Sequence, residues 1–148
     1  MSRAGARWVV LKFGGTSVAS ADNWQAIAAR VKACLDEGLR PLVVVSALRG
    51  VTDELEALIA TPSEGDRGAL LADIHARHVA LAGALGIAVP AEVETQIQSI
   101  ASAGNALADA SRERSQLAAE ILAAGELMSS RLGARFLQQV AGLDCAWE

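Results

Sequence analysis

Two compact apolar runs near the N-terminus show no alternation with polar residues. The first is Trp8–Leu11 and the second is Leu42–Val45, which is rich in β-branched valine. Runs of this length without polar alternation are typical of strands that are buried on both faces of a parallel sheet. The pattern therefore predicts two neighbouring strands of one buried sheet.

A helical pattern separates the two runs. Apolar residues recur at three- and four-residue steps and form one face, which is made by Trp24, Ile27, Val31 and Leu35. Ser20 and Asp22 are both suited to the N-cap position, and Gly38 is a typical residue just after a helix end. The sequence predicts a helix that runs to about Glu37, and hence a strand–helix–strand unit with parallel strands.

Most of the remaining chain has helical spacing, which predicts a helix-rich segment at about residues 52–141. Turn-forming residues at Thr61–Asp66 interrupt the pattern, and a helix is expected from Gly68 to about Gly86. Pro90 is expected to begin the next helix, which bends or ends at Gly104–Asn105. A further helix is expected from about Ser111 to Gly142, and Leu143–Trp147 predicts a third strand.

These elements predict an α/β fold, and the composition agrees with a packed globular protein. Hydrophobic residues make up 52% of the 148 residues and charged residues 20%. The net charge of −4 offers no basic surface for nucleic acid, and no stretch is apolar enough for a membrane span or a signal peptide. Cys34 and Cys145 lie far apart, which favours reduced, buried thiols and a cytoplasmic protein. His75 and His78 have no acid or cysteine at ligand spacing, so we predict no metal site there.

The segment after the first apolar run has the parts of a phosphate-binding loop. Lys12 closes the run, Gly14 and Gly15 follow, and the hydroxyl residues Thr16 and Ser17 precede the helix. Glycines let an anion approach the backbone amides, and the free N–H groups of a helix start attract negative charge. The alternative is a simple turn beside a solvated lysine. Neither the Walker A pattern nor G-x-G-x-x-G is present, so those two nucleotide sites find no support.

Two further residues are candidates for the same crevice, and a third residue is notable later in the chain. Ser46 directly follows the second run and Thr52 lies six residues later, where ligands collect at the carboxyl ends of parallel strands. The alternatives are an ordinary strand-end hydroxyl for Ser46 and a helix N-cap for Thr52. Glu126 follows Gly125, which permits close approach by a ligand or another backbone, although a lone helix glutamate is usually a surface residue.

Three motifs resemble those of a known family. K-F-G-G-T-S-V at residues 12–18 is similar to the opening signature of the aspartate kinases, within the amino-acid-kinase superfamily. S-A-x-x-G-[IV]-T at residues 46–52 and G-E-L-M-S at residues 125–129 resemble two further segments of that family. The opening W-V-V-L and the segment G-L-R-P-L-V-V-V are similar to fused aspartate kinase–diaminopimelate decarboxylases.

The resemblance extends over residues 8–148 and implies a fold and a domain assignment. The fold it implies is a three-layer αβα sandwich with a mainly parallel sheet, of which this chain carries the N-terminal half only. Residues 1–148 are then an incomplete part of a catalytic domain, so the isolated chain is expected to bind ATP weakly and to transfer no phosphoryl group.

The resemblance also implies an activity, which is ATP-dependent phosphorylation of L-aspartate to 4-phospho-L-aspartate in lysine, threonine and methionine biosynthesis. Lys12 would be catalytic and would bind the ATP phosphates together with Gly14, Gly15, Thr16 and Ser17. Mg²⁺ would be held mainly by ATP, and the full-length protein would be a homo-oligomer without nucleic-acid or membrane partners. The substrate aspartate would be held by Ser46, Thr52 and Glu126. The alternatives are another small-molecule kinase of the superfamily, or a non-catalytic fragment that binds only phosphate or a partner.

Overall fold

The computed structural model describes residues 5, 7–109 and 113–148, and within these ranges the chain forms two strands and five helices. This result confirms the α/β class, the parallel sheet and the helix-rich segment. The predicted helix start at Ser111 lies outside the described residues. In chain order the elements are β1 (Trp8–Phe13), α1 (Ala21–Asp36), β2 (Arg40–Val45), α2 (Val51–Ala60), α3 (Glu64–Leu85), α4 (Ala91–Ala106) and α5 (Arg114–Gln139).

The two strands pair in parallel, from Trp8 opposite Arg40 to Phe13 opposite Val45. Alternate side chains point to opposite faces of the sheet. The inner face packs on the helices through partly buried apolar side chains, which are those of Leu11, Phe13, Val43 and Val45.

The outer face is open in the described part of the chain, so the prediction that both faces are buried is wrong there. Trp8 is 63% exposed and Val10 is 62% exposed, and Leu42 and Val44 are exposed beside them. The guanidinium of Arg40 lies 4.4 Å from the centre of the Trp8 ring. An uninterrupted apolar run shows that both faces are apolar, but it does not show which chain segment covers each face.

Helix α1 begins and ends where its sequence predicts. The Ser20 hydroxyl accepts a hydrogen bond from the Asn23 amide at 3.3 Å, which makes Ser20 the N-cap. The helix ends at Asp36, and Gly38 follows with φ of 75°, a conformation that glycine adopts without strain. Trp24 and Ile27 are buried on the face that the periodicity predicted.

Among the described helices, α5 carries the most buried residues, and its Met128, Leu132 and Phe136 are fully buried. Trp24 of α1 packs edge-on against Phe136, with ring centres 6.2 Å apart. The Trp24 indole N–H donates to the Val18 carbonyl at 2.9 Å, so the ring is held at both its polar and apolar ends. This packing fixes α5 relative to α1 and to the end of the sheet.

Helix α3 begins earlier than predicted and carries a buried histidine. Ser63 caps the helix by accepting from the Asp66 amide at 3.3 Å, so the helix begins at Glu64 rather than Gly68. His78 is fully buried, its Nδ1 donates to the Ile74 carbonyl at 2.7 Å, and its Nε2 has no protein partner. Burial in this apolar environment lowers the pKa of His78 below 6.5.

The predicted third strand at Leu143–Trp147 is wrong, since these residues pair with no strand in the described structure. They lie instead along α5, where Gln138 Nε2 donates to the Cys145 carbonyl at 2.7 Å and Trp147 Nε1 donates to Ser130 Oγ at 2.9 Å. Burial, assisted by the neighbouring Asp144 carboxylate, raises the pKa of the Cys145 thiol. Both cysteines are free thiols; Cys34 is buried and Cys145 is half-buried.

No helix in the described ranges is both long enough and apolar enough to cross a membrane.

Candidate functional site

The loop after β1 forms a tight turn around Gly14. The amides of Ser17 and Val18 both donate to the Gly14 carbonyl, at 2.9 Å and 3.2 Å. Neither Gly14 nor Gly15 has a positive φ, so the turn does not depend on the special backbone freedom of glycine. At Gly15 the structural requirement is instead the absence of a side chain.

Gly15 is required for contact between two loops. A Cβ at this position would lie 2.7 Å from the Ala47 carbonyl oxygen and 3.3 Å from the Arg49 nitrogen. The Arg49 amide donates to the Gly15 carbonyl at 3.2 Å. Because only glycine allows this approach, the loop between β1 and α1 packs directly on the loop between β2 and α2.

Gly14 borders open space. A Cβ there would meet no atom within 4 Å, and the residue is exposed. Neither the Gly14 amide nor the Gly15 amide donates a hydrogen bond in the part of the chain that the structure describes. These amides are therefore available to an anion, and the loop leads into the positive end of α1.

Lys12 is the penultimate residue of β1 and lies opposite Val44 on the outer face of the sheet. Its side chain is exposed, and none of the ion pairs among the described residues involves it. Thr16 is exposed and Ser17 is half-buried, and the Thr16 carbonyl accepts from Asn23 Nδ2 at 3.0 Å. The lysine and the hydroxyl residues thus border the open side of the Gly14 turn.

Ser46 is held from two directions at the end of β2. Its amide donates to the Phe13 carbonyl at 3.1 Å, which continues the pairing of the strands by one residue. Its carbonyl accepts from the Ser129 hydroxyl of α5 at 2.6 Å. The backbone of Ser46 is therefore tied both to the phosphate-loop strand and to α5.

Thr52 is the second residue of α2 and not its N-cap, so the capping alternative is wrong. The N-cap is Gly50, which has φ of 85° and no side chain to donate or accept. The Thr52 hydroxyl is exposed and makes no hydrogen bond within the described residues. It is free to contact a ligand at the start of the helix.

Glu126 lies on α5 beside the same loop. A Cβ at Gly125 would lie 2.8 Å from Ala47 Cβ and 3.3 Å from Leu55 Cδ1, so α5 approaches the loop closely at this glycine. The close approach expected from the sequence is thus made by the protein itself. The Glu126 side chain is exposed and has no ion pair among the described residues.

Three segments therefore meet at the carboxyl ends of the strands. Gly15, the stretch from Ser46 to Arg49, and the α5 turn from Gly125 to Ser129 are in direct contact. The other candidate side chains belong to residues that flank these segments in the chain, and within the described residues they make no hydrogen bonds or ion pairs to one another, namely Lys12, Thr16, Ser17, Thr52 and Glu126. Lys12 on the outer face of β1 and Glu126 on α5 both lack an ion pair within the described residues, so both charges are available to a ligand. Within the described ranges, no group of three or more His, Cys, Asp or Glu residues could hold a metal ion.

Sequence analysis did not identify Ser129. The available signal was the spacing of small residues on α5, because Gly125, Ser129 and Gly133 recur every four residues and share one helix face. Such a row marks the face on which a neighbouring element approaches closely.

Comparison with known proteins shows similarity to the amino acid kinase family and to aspartokinases. The model of the amino acid kinase family matches residues 7–146. An aspartokinase of Chlamydia trachomatis is 39% identical over 124 residues, which is 84% of this chain and 26% of the relative. A bifunctional aspartokinase/homoserine dehydrogenase of Arabidopsis thaliana is 31% identical over 150 residues, covering 97% of this chain and 16% of the relative.

Solved structures show the same similarity. Escherichia coli aspartokinase III in complex with aspartate and ADP superposes with a TM-score of 0.74 and 34% identity, covering 89% of this chain and 29% of that chain. The same enzyme in complex with lysine and aspartate gives a TM-score of 0.71 and 31% identity, over 93% of this chain and 29% of that one. The chain thus spans roughly a quarter of the length of the first relative and of each solved structure.

Proposed function

The chain belongs to the amino acid kinase family, and we propose that it forms the N-terminal half of the catalytic domain of an aspartokinase. The proposed reaction transfers the γ-phosphoryl group of ATP to the side-chain carboxylate of L-aspartate and yields ADP and 4-phospho-L-aspartate. Support comes from the aspartokinase relatives and from the Escherichia coli structure, which holds aspartate and ADP.

One observation carries the proposal. Gly15, the loop after Ser46 and the α5 turn at Gly125 pack together so closely that two of the contacts permit no Cβ. This packing supports a shared site for the proposed phosphate loop and the proposed aspartate-binding residues at one end of the sheet. A phosphoryl transfer requires such a junction, because donor and acceptor must be aligned at contact distance.

The reaction needs charge compensation more than proton transfer. The acceptor carboxylate, with a reference pKa of roughly 3.9, is already ionised at neutral pH. An anion must therefore attack a polyanion, and positioning and electrostatics provide most of the help. The Lys12 ammonium would neutralise charge that develops on the transferred group, and the free amides of Gly14 and Gly15 would donate to phosphate oxygens. Mg²⁺, held mainly by ATP oxygens, would supply further positive charge.

The amino-acid substrate would be oriented by the other side of the junction. The exposed hydroxyl of Thr52 and the Ser46 side chain would contact the aspartate, and the unpaired Glu126 carboxylate would bind its α-ammonium group. An acylated amine carries no charge and cannot form the charge-assisted hydrogen bond to Glu126, so Glu126 would favour substrates with a free α-ammonium group.

The test is a substrate panel on the full-length gene product with ATP and Mg²⁺. We expect ADP release with L-aspartate, together with an acyl phosphate that hydroxylamine traps as the hydroxamate. L-glutamate, N-acetyl-L-glutamate and N-acetyl-L-aspartate should give little turnover. Preferred turnover of glutamate or an N-acetylated substrate would contradict the assignment and favour another kinase of the family.

The wider setting follows from the same assignment. We propose that the product enters lysine, threonine and methionine biosynthesis in the cytoplasm, and that the full-length protein is a homo-oligomer. The support for this setting is the motif resemblance together with the aspartokinase relatives.

A further inference from the structure

Ser129 is a buried polar residue at the junction that the proposed mechanism does not use. Its side chain is fully buried, and His78 is the other fully buried polar residue within the described ranges. The Ser129 hydroxyl donates to the Ser46 carbonyl at 2.6 Å and lies 3.2 Å from the Glu126 carbonyl of its own helix. The shorter bond joins residues that are 83 positions apart in the sequence.

The same face of α5 carries Gly125, one helical turn before Ser129. The missing side chain at Gly125 lets α5 approach Ala47, and the Ser129 hydroxyl bonds to the residue that precedes Ala47. Gly125 thus sets how close α5 lies to the loop after β2, and Ser129 fixes the position of α5 along that loop. Glu126 lies between them in sequence, so its position relative to Ser46 depends on both contacts.

The backbone conformation of Ser46 depends on the hydrogen bond from Ser129. Its amide is held by the Phe13 carbonyl and its own carbonyl by Ser129, so the peptide units on both sides are fixed. Loss of the Ser129 donor leaves a half-buried carbonyl without a partner and frees the loop to rotate at its carboxyl side. The strand side of Ser46 would stay in place because the bond to Phe13 remains.

We propose that Ser129 is a positioning residue that sets the distance between Ser46 and Glu126, and thereby the fit of the α-amino acid substrate. This inference rests on the proposed function, since it assigns Ser46 and Glu126 to the two ends of that substrate. Ser129 is shielded from the crevice by burial, so it acts through these two residues and does not touch the substrate.

The test compares Ser129→Ala with Ser130→Ala in the full-length gene product. Both variants remove one helix hydroxyl, but the Ser130 hydroxyl donates to Leu127 and accepts from Trp147, away from the loop. Ser129→Ala should raise the aspartate KM about five- to a hundredfold, as for a hydrogen bond whose loss leaves its partner unpaired, with little change in the ATP KM. Ser130→Ala should leave both values near those of the unmodified protein.

Two further measurements separate positioning from a purely structural role. A structural role would lower the melting temperature and the active fraction without changing the aspartate KM selectively. In a double-mutant cycle, Ser129→Ala should add little to the aspartate KM once Glu126→Gln is present, because the ammonium contact is already weakened.

Each outcome decides between the alternatives. An active unmodified protein whose aspartate KM is unchanged by Ser129→Ala, or whose two KM values rise equally, overturns the positioning role and leaves the proposed function standing. Fully additive effects in the cycle also overturn it. An unmodified protein that transfers no phosphoryl group to aspartate overturns the proposed function, and this inference with it.

Discussion

Gly133→Ala tests the packing of α5 against α1. The position of Glu126 depends on this packing, because Glu126 lies on α5. A Cβ at Gly133 would overlap Cη2 of Trp24 and would lie 2.6 Å from Cζ2 and Cζ3 of the same ring. The indole would have to move by roughly 1.5–2 Å to restore ordinary contact distances. Two contacts oppose that movement, namely the hydrogen bond to Val18 at 2.9 Å and the edge-on contact with Phe136.

The magnitude follows from three contributions. Overpacking a core of this kind costs about 1–3 kcal/mol, and a strained or broken buried hydrogen bond adds about 1–3 kcal/mol. Replacing glycine by alanine inside a helix returns about 1 kcal/mol. We therefore expect the free energy of unfolding to fall by about 1–5 kcal/mol, and the melting temperature to fall by about 2–4 °C per kcal/mol for a chain of this size.

The assay is urea denaturation of the 148-residue chain, followed by tryptophan fluorescence and circular dichroism. Gly68→Ala is the matched control, because Gly68 is an exposed helix residue of α3 where a Cβ would meet nothing within 4 Å. The control should gain about 0.5–1 kcal/mol. If Gly133→Ala is as stable as the control, Trp24 does not lie over Gly133, and the packing of α5 on α1 described above is wrong.

The remaining predictions concern Glu126 and His78. Glu126→Gln in the full-length gene product should raise the aspartate KM about ten- to a hundredfold and the ATP KM far less, since a hydrogen bond to a charged group contributes about 1.5–3 kcal/mol. Equal changes in the two KM values would mean that Glu126 is a solvated surface residue that does not bind aspartate. Because burial lowers the pKa of His78 in the folded state, the unfolded chain binds its proton first as the pH falls. Stability should therefore be complete above about pH 6.5 and should fall below it by at most about 1.4 kcal/mol per pH unit, until the lowered pKa is passed. Melting curves across this range should lose the His78 contribution in His78→Leu and keep it in the control His75→Gln, whose ring is half-exposed beside Glu94; an unchanged pH dependence in His78→Leu would contradict the assignment.

Local patterns were sufficient to predict the elements that position the site. Each of these features depends on residues within a few positions of one another, namely the apolar runs of β1 and β2, the Ser20 cap and the spacing from Trp24 to Leu35. A close approach at Gly125, by a ligand or another backbone, was also expected, and the structure shows α5 approaching Ala47 there. In each case the physical cause is local in the sequence.

Features that depend on distant partners were not predictable in the same way. Leu143–Trp147 alternates in burial as a strand would, but a strand also needs a neighbouring backbone, and in the described structure these residues lie along α5. The bond from Ser129 to Ser46 joins two segments that no local pattern connects. The open outer face at Trp8 likewise depends on which segments pack there, and periodicity does not report this.

The central claim is that the segment around Lys12 binds the phosphates of ATP, and the most direct test is the turnover of Lys12 variants in the full-length gene product. We propose that Lys12 acts on charge that grows during transfer, so Lys12→Ala should lower kcat at least roughly a hundredfold, as for loss of a preorganised donor, with a smaller change in the aspartate KM. Lys12→Arg should rescue poorly, because its planar fork cannot take the place of a compact ammonium. Folding should be unaffected, because the side chain is exposed on the outer face of β1, and melting curves check this separately. Near-normal kcat in a folded Lys12→Ala protein would contradict the phosphate-binding role and leave Lys12 a solvated strand-end lysine.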